Sequence, residues 1–287
     1  MQRSLTTPAK HALRRICFGA VVACLGMGVA SGQGIRGMRP IRPIRPIAPF
    51  VVEPTLTLSA SVGWTADQTP ADFLDNVGDR VKARWRQMYR EPPGRPPTTR
   101  PIVAYALGGL LADSFLAMQA TDAQQFRNNN QDILGYCRVL GLGDKLAPRL
   151  MSQGKMAEMD QWRDLRQEVV DGHQELCRVL REQRDEDLAV LVDMGIWVRV
   201  MDMVSGLVVD SSDPSVWPLC VGSPALLKDL KQRFSQMSEA TRRQERIASL
   251  GQMLDLLCRH WVNAPPPTLE DVKMTRDEVK DQWAKLR

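Results

Sequence analysis

Two long helical segments that are apolar on almost every side most constrain the fold of this chain. The first runs from about Pro101 to Ala120 and carries a single charge, Asp113. The second runs from about Glu186 to Val209 and holds three charges beyond its acidic first turn. A helix without a polar face has to be surrounded by other elements. These two segments therefore predict the centre of an all-α fold.

The chain from Thr69 onward has helical spacing of its apolar residues throughout. Caps, prolines and glycines divide it into about eight helices. The alternating stretch Thr55–Val62 is strand-like, but one strand cannot form a sheet alone. We therefore predict a compact bundle and a single all-helical domain over residues 67–287. The predicted helices cover about 69–90, 101–120, 122–140, 155–183, 186–209, 223–237, 239–262 and 268 onward, with a short segment at 144–153.

Residues 1–31 have the pattern of a secretory signal peptide. Basic residues precede the uncharged apolar run Ile16–Ala30, and small residues suited to cleavage follow near Ala30–Gly32. The run is shorter than the roughly 20 residues that span a bilayer. The sequence therefore predicts an exported protein, periplasmic or secreted, with no membrane span in the mature chain.

Two variants of this leader stay open. Val21-Val22-Ala23-Cys24 loosely resembles a lipoprotein box, which would leave a lipid anchor on Cys24, although the apolar run continues past it. Arg14-Arg15 ahead of a Gly-rich apolar run resembles a twin-arginine signal. Ordinary secretory export accounts for the leader without either feature.

Residues 32–66 are predicted to be an extended, proline-rich linker. The triplet Arg-Pro-Ile occurs three times over residues 39–47, which favours a polyproline II helix with three residues per turn. Such a segment serves as a stiff spacer. Its arginines, repeated along one edge, also leave open contact with an anionic polymer of the cell envelope.

The charge distribution argues against nucleic-acid binding. Residues 1–50 hold eight of the 38 basic residues and none of the 33 acidic ones, so the rest of the chain carries 30 basic and 33 acidic residues. A domain that binds phosphates normally has a clustered basic excess. The predicted partner is thus an unidentified protein or an envelope polymer.

Asp113 and Arg199 are the candidate buried ion pair. Each lies within one of the two apolar helices, and a buried charge is costly unless it is paired. On a helical wheel, Asp113 shares a face with small residues that would let a neighbouring backbone approach closely: Ala106, Gly109, Ala117 and Ala120. Asp193 and Asp202 lie on opposite sides of their helix, so they do not form a paired-carboxylate site.

His173 is a candidate polar residue of the core, because it lies in the apolar stripe of its helix. The motifs of zinc hydrolases, serine hydrolases, phosphate loops, di-iron bundles and covalent haem are missing from the sequence. Most of the 14 methionines are interpreted as adaptable core residues rather than copper ligands. No catalytic residue, metal site or cofactor is therefore predicted.

Four cysteines follow the predicted leader, namely Cys137, Cys177, Cys220 and Cys258. Their wide spacing does not fit a compact tetrathiolate zinc site. In an oxidising compartment they are candidates for disulfides, with three possible connectivities. Because Cys137 and Cys258 lie on apolar helix faces, the alternative is that they are buried thiols.

These patterns predict an exported, non-catalytic helical protein that acts as an interaction or scaffold module in the cell envelope or outside the cell. The alternative is an envelope carrier of a small ligand, or an enzyme, with a polar core site around Asp113, Arg199 and His173. The oligomeric state is not predictable from the sequence.

Overall fold

The structure of the chain is a computed structural model that describes residues 68–91, 93–211, 213–262 and 267–285. The predicted leader and the whole of the predicted linker lie outside these residues. The described part contains helices and no strands, which confirms the predicted all-α class. It contains ten α-helices rather than about eight, together with two 3-10 helices at Trp85–Met88 and Pro214–Val221. The α-helices are α1 (Pro70–Arg80), α2 (Arg100–Gln119), α3 (Ala123–Val139), α4 (Gly143–Glu158), α5 (Trp162–Glu182), α6 (Glu186–Val209), α7 (Pro224–Gln236), α8 (Glu239–Arg242), α9 (Glu245–Trp261) and α10 (Leu269–Ala284).

The first helix is shorter than predicted. The sequence predicted a helix as far as Arg90, but α1 ends at Arg80 and Val81 is extended. The chain then turns back so that the Trp85 ring covers Gly78, where a Cβ atom would lie 3.2 Å from the ring. Packing of this tryptophan on a glycine therefore competes with continuation of the helix.

The predicted boundary between α4 and α5 was also wrong. Pro148 and Gly154 lie inside α4, and the break comes at Asp160, whose φ of +55° is left-handed. Proline has no N–H group, so the Asp144 carbonyl oxygen loses its helical hydrogen-bond donor. Both Pro148 and Asp144 are exposed to water. The helix tolerates the proline for that reason.

The single helix predicted over 239–262 is divided into α8 and α9.

The helices α2 and α6 pack directly on each other in the core. Their backbones meet where Gly108 faces Gly195, because a Cβ atom on Gly195 would lie 2.0 Å from the Tyr105 carbonyl oxygen. The helical wheel had placed the close approach on the face of Gly109. The structure instead covers Gly109 with the ring of Trp283 from α10.

Within the described residues, α2 is long and apolar enough to cross a membrane. However, 89% of its 18-residue apolar window is buried inside the fold. Helices α3, α5 and α6 and the 3-10 helix at Trp85–Met88 all contact it. Burial of this kind is what the central helix of a bundle requires.

Candidate functional site

The structure brings Asp113 and Arg199 together between α2 and α6. Arg199 Nε donates a hydrogen bond of 2.7 Å to Asp113 Oδ1. Asp113 is 8% exposed and Arg199 is 3% exposed. Each of the two apolar helices contributes one charged side chain to this contact. Because both side chains are buried from water, each charge is stabilised by the opposite charge rather than by hydration.

Two further charged residues complete this site, which we call the α2–α6 cluster (Arg90, Asp113, Arg199 and Asp202). Arg90 Nε lies 2.8 Å from Asp113 Oδ2, and Arg199 also pairs with Asp202 one helical turn away. A third bond from Arg199 goes to the Met88 carbonyl oxygen at 2.6 Å. The cluster thus has two guanidinium groups and two carboxylates, and its charges cancel.

The surroundings of Arg199 favour its charged form, whereas burial lowers the pKa of Arg90. Burial alone would lower the pKa of Arg199, but the adjacent carboxylates of Asp113 and Asp202 outweigh it and raise that pKa. The Arg90 guanidinium also stacks over the Trp283 ring, 4.3 Å from its centroid. Arg90, Asp113 and Arg199 are each held by more than one contact, as a fixed structural pair requires.

His173 lies outside the α2–α6 cluster, in a second group of polar residues, the α5–α6 cluster (His173, Cys177, Asp193 and Arg233). His173 Nε2 is 2.8 Å from Asp193 Oδ1 and 3.4 Å from the Cys177 sulfur. Arg233 Nη2 donates to the other oxygen of Asp193 at 2.5 Å. The sequence had grouped His173 with Asp113 and Arg199, and the structure gives it entirely different hydrogen-bond partners.

The α5–α6 cluster raises the pKa of His173. Burial alone favours the neutral ring, but the Cys177 sulfur and the Asp193 carboxylate outweigh it and raise the pKa of His173 to about 10. Burial would likewise raise the pKa of Asp193, but His173 and Arg233 lower it. Asp193 pairs with His173 and Arg233, whereas Asp202 pairs with Arg199. The two carboxylates belong to separate clusters, as their positions on opposite sides of the helix indicate.

Small cavities adjoin both clusters. His173 lines one of about 20 Å³ together with Asn130 and Gln153, and the buried Asn130 Oδ1 has no hydrogen-bond partner in the described part of the chain. Asp113 lines another of about 10 Å³, next to the similarly unpartnered Asn129 Nδ2. A cavity needs roughly 10–15 Å³ to hold one water molecule. Neither cavity can accept more than solvent.

A larger depression lies on the surface between α3 and α4, and we call it the α3–α4 groove. It measures about 300 Å³ and has an apolar floor formed by Leu134, Leu150 and Met151. Met151 is 65% exposed and Met159, which caps α4, is 60% exposed. These two methionines are exceptions to the interpretation of most methionines as core residues.

All four candidate disulfide cysteines are free thiols in the structure. Cys137 and Cys220 are buried in the hydrophobic core, where a thiol packs as a small hydrophobic group. Cys177 is also buried, but it lies beside His173 and Asp193. Burial raises the pKa of the Cys137 thiol to about 12. Cys258 is half-buried, and its sulfur lies 3.7 Å from the Leu227 carbonyl oxygen.

We expect alkylation of the folded protein by iodoacetamide to distinguish these four cysteines. Cys258 should react first because it is the most accessible, and the three buried thiols should react only after unfolding in urea. Peptide mapping by mass spectrometry without reduction measures both outcomes. Recovery of any two of these cysteines in one disulfide-linked peptide would contradict the free-thiol assignment.

Sequence reasoning missed Arg90, Arg233, and the pairing of His173 with Asp193 and Cys177. Arg90 follows a turn after α1 that the sequence did not predict. Arg233 lies on the predicted helix α7, but the sequence did not predict that this side chain reaches Asp193 on α6. A usable signal did exist for Cys177, because it follows His173 by four residues and two such side chains share a helix face.

Neither a protein-family model, nor a curated protein, nor a solved structure matches this chain.

Proposed function

We propose that this chain is an exported, non-catalytic helical protein that works by binding another protein in the cell envelope or outside the cell. The signal-like leader over residues 1–31 supports the location. The proposed binding of a protein partner is supported by the core, where the buried charged side chains of the two clusters are paired with one another. The binding site for a partner is then expected on the surface.

The two clusters support this proposal over the carrier or enzyme alternative. Sites for small ligands are cavities of about 300–1,000 Å³ with convergent polar groups. The cavities beside Asp113 and His173 measure about 10 and 20 Å³. In addition, a catalytic role for the α2–α6 cluster would need a group free to act on a substrate, and its four members are engaged with each other.

The α3–α4 groove is the surface feature that best fits a protein partner. Its apolar floor suits one or two apolar side chains, and methionine adapts readily to the shape of a partner. Lys155 and Glu158 supply charges of both signs at its edge. An apolar centre with a polar rim is the usual composition of a protein–protein interface.

Site-specific photocrosslinking in the source cell tests this proposal. A photoreactive residue at the exposed groove position Gln131 should give a discrete protein adduct, found in the envelope or in the medium. The matched control is Gln174, which is exposed on α5 outside the groove. The substitution Met151→Glu should abolish the adduct, because it places a charge on the apolar floor.

Two results would count against the proposal. Equal labelling from Gln131 and Gln174 would mean that the groove is not the binding surface. Retention of the protein in the cytoplasm, with its leader intact, would remove the proposed location.

A further inference from the structure

The α5–α6 cluster contains three metal-binding side chains that the proposed function does not use. His173 and Cys177 are one helical turn apart on α5, so they project from the same face. Asp193 faces them from α6. Their donor atoms lie within 4.8 Å of one another, and all three residues are buried. We propose that His173, Cys177 and Asp193 form a binding site for a zinc ion.

The distances between the donor atoms are close to those that zinc requires. Sulfur, nitrogen and oxygen ligands at their usual zinc distances are separated by about 3.3–3.6 Å in a tetrahedral site. Here the His173–Asp193 separation is 2.8 Å, the His173–Cys177 separation is 3.4 Å, and the Cys177–Asp193 separation is 3.8 Å. Adjustments of about half an ångström, within the reach of side-chain rotation, would admit the ion.

The ligand set suits the charge of a divalent ion. Zinc binds thiolate, carboxylate and neutral imidazole, and its binding releases protons from its ligands. In the loaded site, the Cys177 thiolate and the Asp193 carboxylate would carry two negative charges against the two positive charges of the ion.

Arg233 is placed as an orienting residue for this site. It binds Asp193 Oδ2 and leaves Oδ1 directed at His173 and Cys177. Partners of this kind fix the orientation of metal ligands. Three protein ligands leave one coordination position, which a water molecule would fill. The ion would join α5 to α6 and, through Arg233, to α7.

Metal reconstitution of the full chain tests the site. Unfolding in a chelator and refolding with Co²⁺ or Zn²⁺ gives the ion access to the buried ligands. We expect about one tightly bound zinc per chain, a higher melting temperature, and a thiolate-to-metal charge-transfer band in the cobalt form. Cys177→Ser should lose that band and bind zinc about tenfold or more weakly.

The chain provides matched controls. Cys258→Ser and His260→Asn remove the same residue types outside the cluster and should leave the band and the affinity unchanged. Because Cys177→Ser retains the ion pairs of Asp193 with His173 and Arg233, circular dichroism should show a folded protein. If the unsubstituted chain binds no more zinc than Cys177→Ser, or if its band also requires Cys258, the site is a structural ion-pair network and the proposal is overturned.

Discussion

Replacing Gly195 by alanine is expected to lower the free energy of unfolding by about 3 kcal/mol. The added Cβ atom would lie 2.0 Å from the Tyr105 carbonyl oxygen and 3.1 Å from the Gly108 Cα atom. Both are backbone atoms, so no side-chain rotation relieves the contact. The helices α2 and α6 must separate, and that disturbs the part of the core where most of their apolar surface is buried.

Gly206 on the same helix is the matched control. A Cβ atom there meets nothing within 4 Å, so Gly206→Ala should raise stability by about 0.5–1 kcal/mol through helix propensity alone. Urea unfolding followed by circular dichroism gives both values from the transition midpoints. If Gly195→Ala were as stable as Gly206→Ala, the two helices could not be in contact at this point.

The sequence predicted the two central helices well. The predicted bounds of α6, Glu186–Val209, coincide with the observed ones, and those of α2 differ by one residue at each end. Both helices are long apolar segments between clear caps and breakers, where hydrophobic patterning is decisive. The position of their contact was predicted less well, because the wheel placed Gly109 rather than Gly108 at the close approach. A wheel gives relative angles, but only packing determines which face meets which neighbour.

One boundary without glycine or proline was missed. The turns at Thr121, Asp160 and Arg184 all have a left-handed backbone. The sequence predicted the breaks at Thr121 and Arg184, but it ran a single helix through Asp160. The opposite error occurred near Gly154, where a predicted break lies inside α4.

The candidate polar site was only partly predictable, for a related reason. Asp113 and Arg199 could be paired in advance because each is an isolated charge in an apolar helix. Arg90 and Arg233 could not be assigned, since each reaches the core from a segment whose surface position looks ordinary in the sequence. His173 was expected beside Asp113, although α5 actually directs it to Asp193.

The substitution Asp113→Asn should lower the free energy of unfolding by about 3–5 kcal/mol, the usual cost of leaving a buried charge without its partner. Asp113 binds both Arg199 and Arg90, with separations of 2.7 and 2.8 Å to their Nε atoms. Its replacement leaves two guanidinium groups facing a single carboxylate, that of Asp202. An asparagine keeps the shape of the side chain, so the loss measures charge rather than packing.

A double-mutant cycle separates a structural role for this pair from a ligand-binding role. In Asp113→Asn with Arg199→Met, Arg90 and Asp202 remain as one cation and one anion, so the combined loss should be smaller than the sum of the two single losses by about 1–3 kcal/mol. Glu182→Gln, which breaks the exposed Arg178–Glu182 pair, is the control and should cost less than about 1 kcal/mol. If Asp113→Asn instead kept full stability, the carboxylate would not be held as a structural ion. Its burial would then have to be explained by a ligand, and the surface-binding function would give way to the carrier or enzyme alternative.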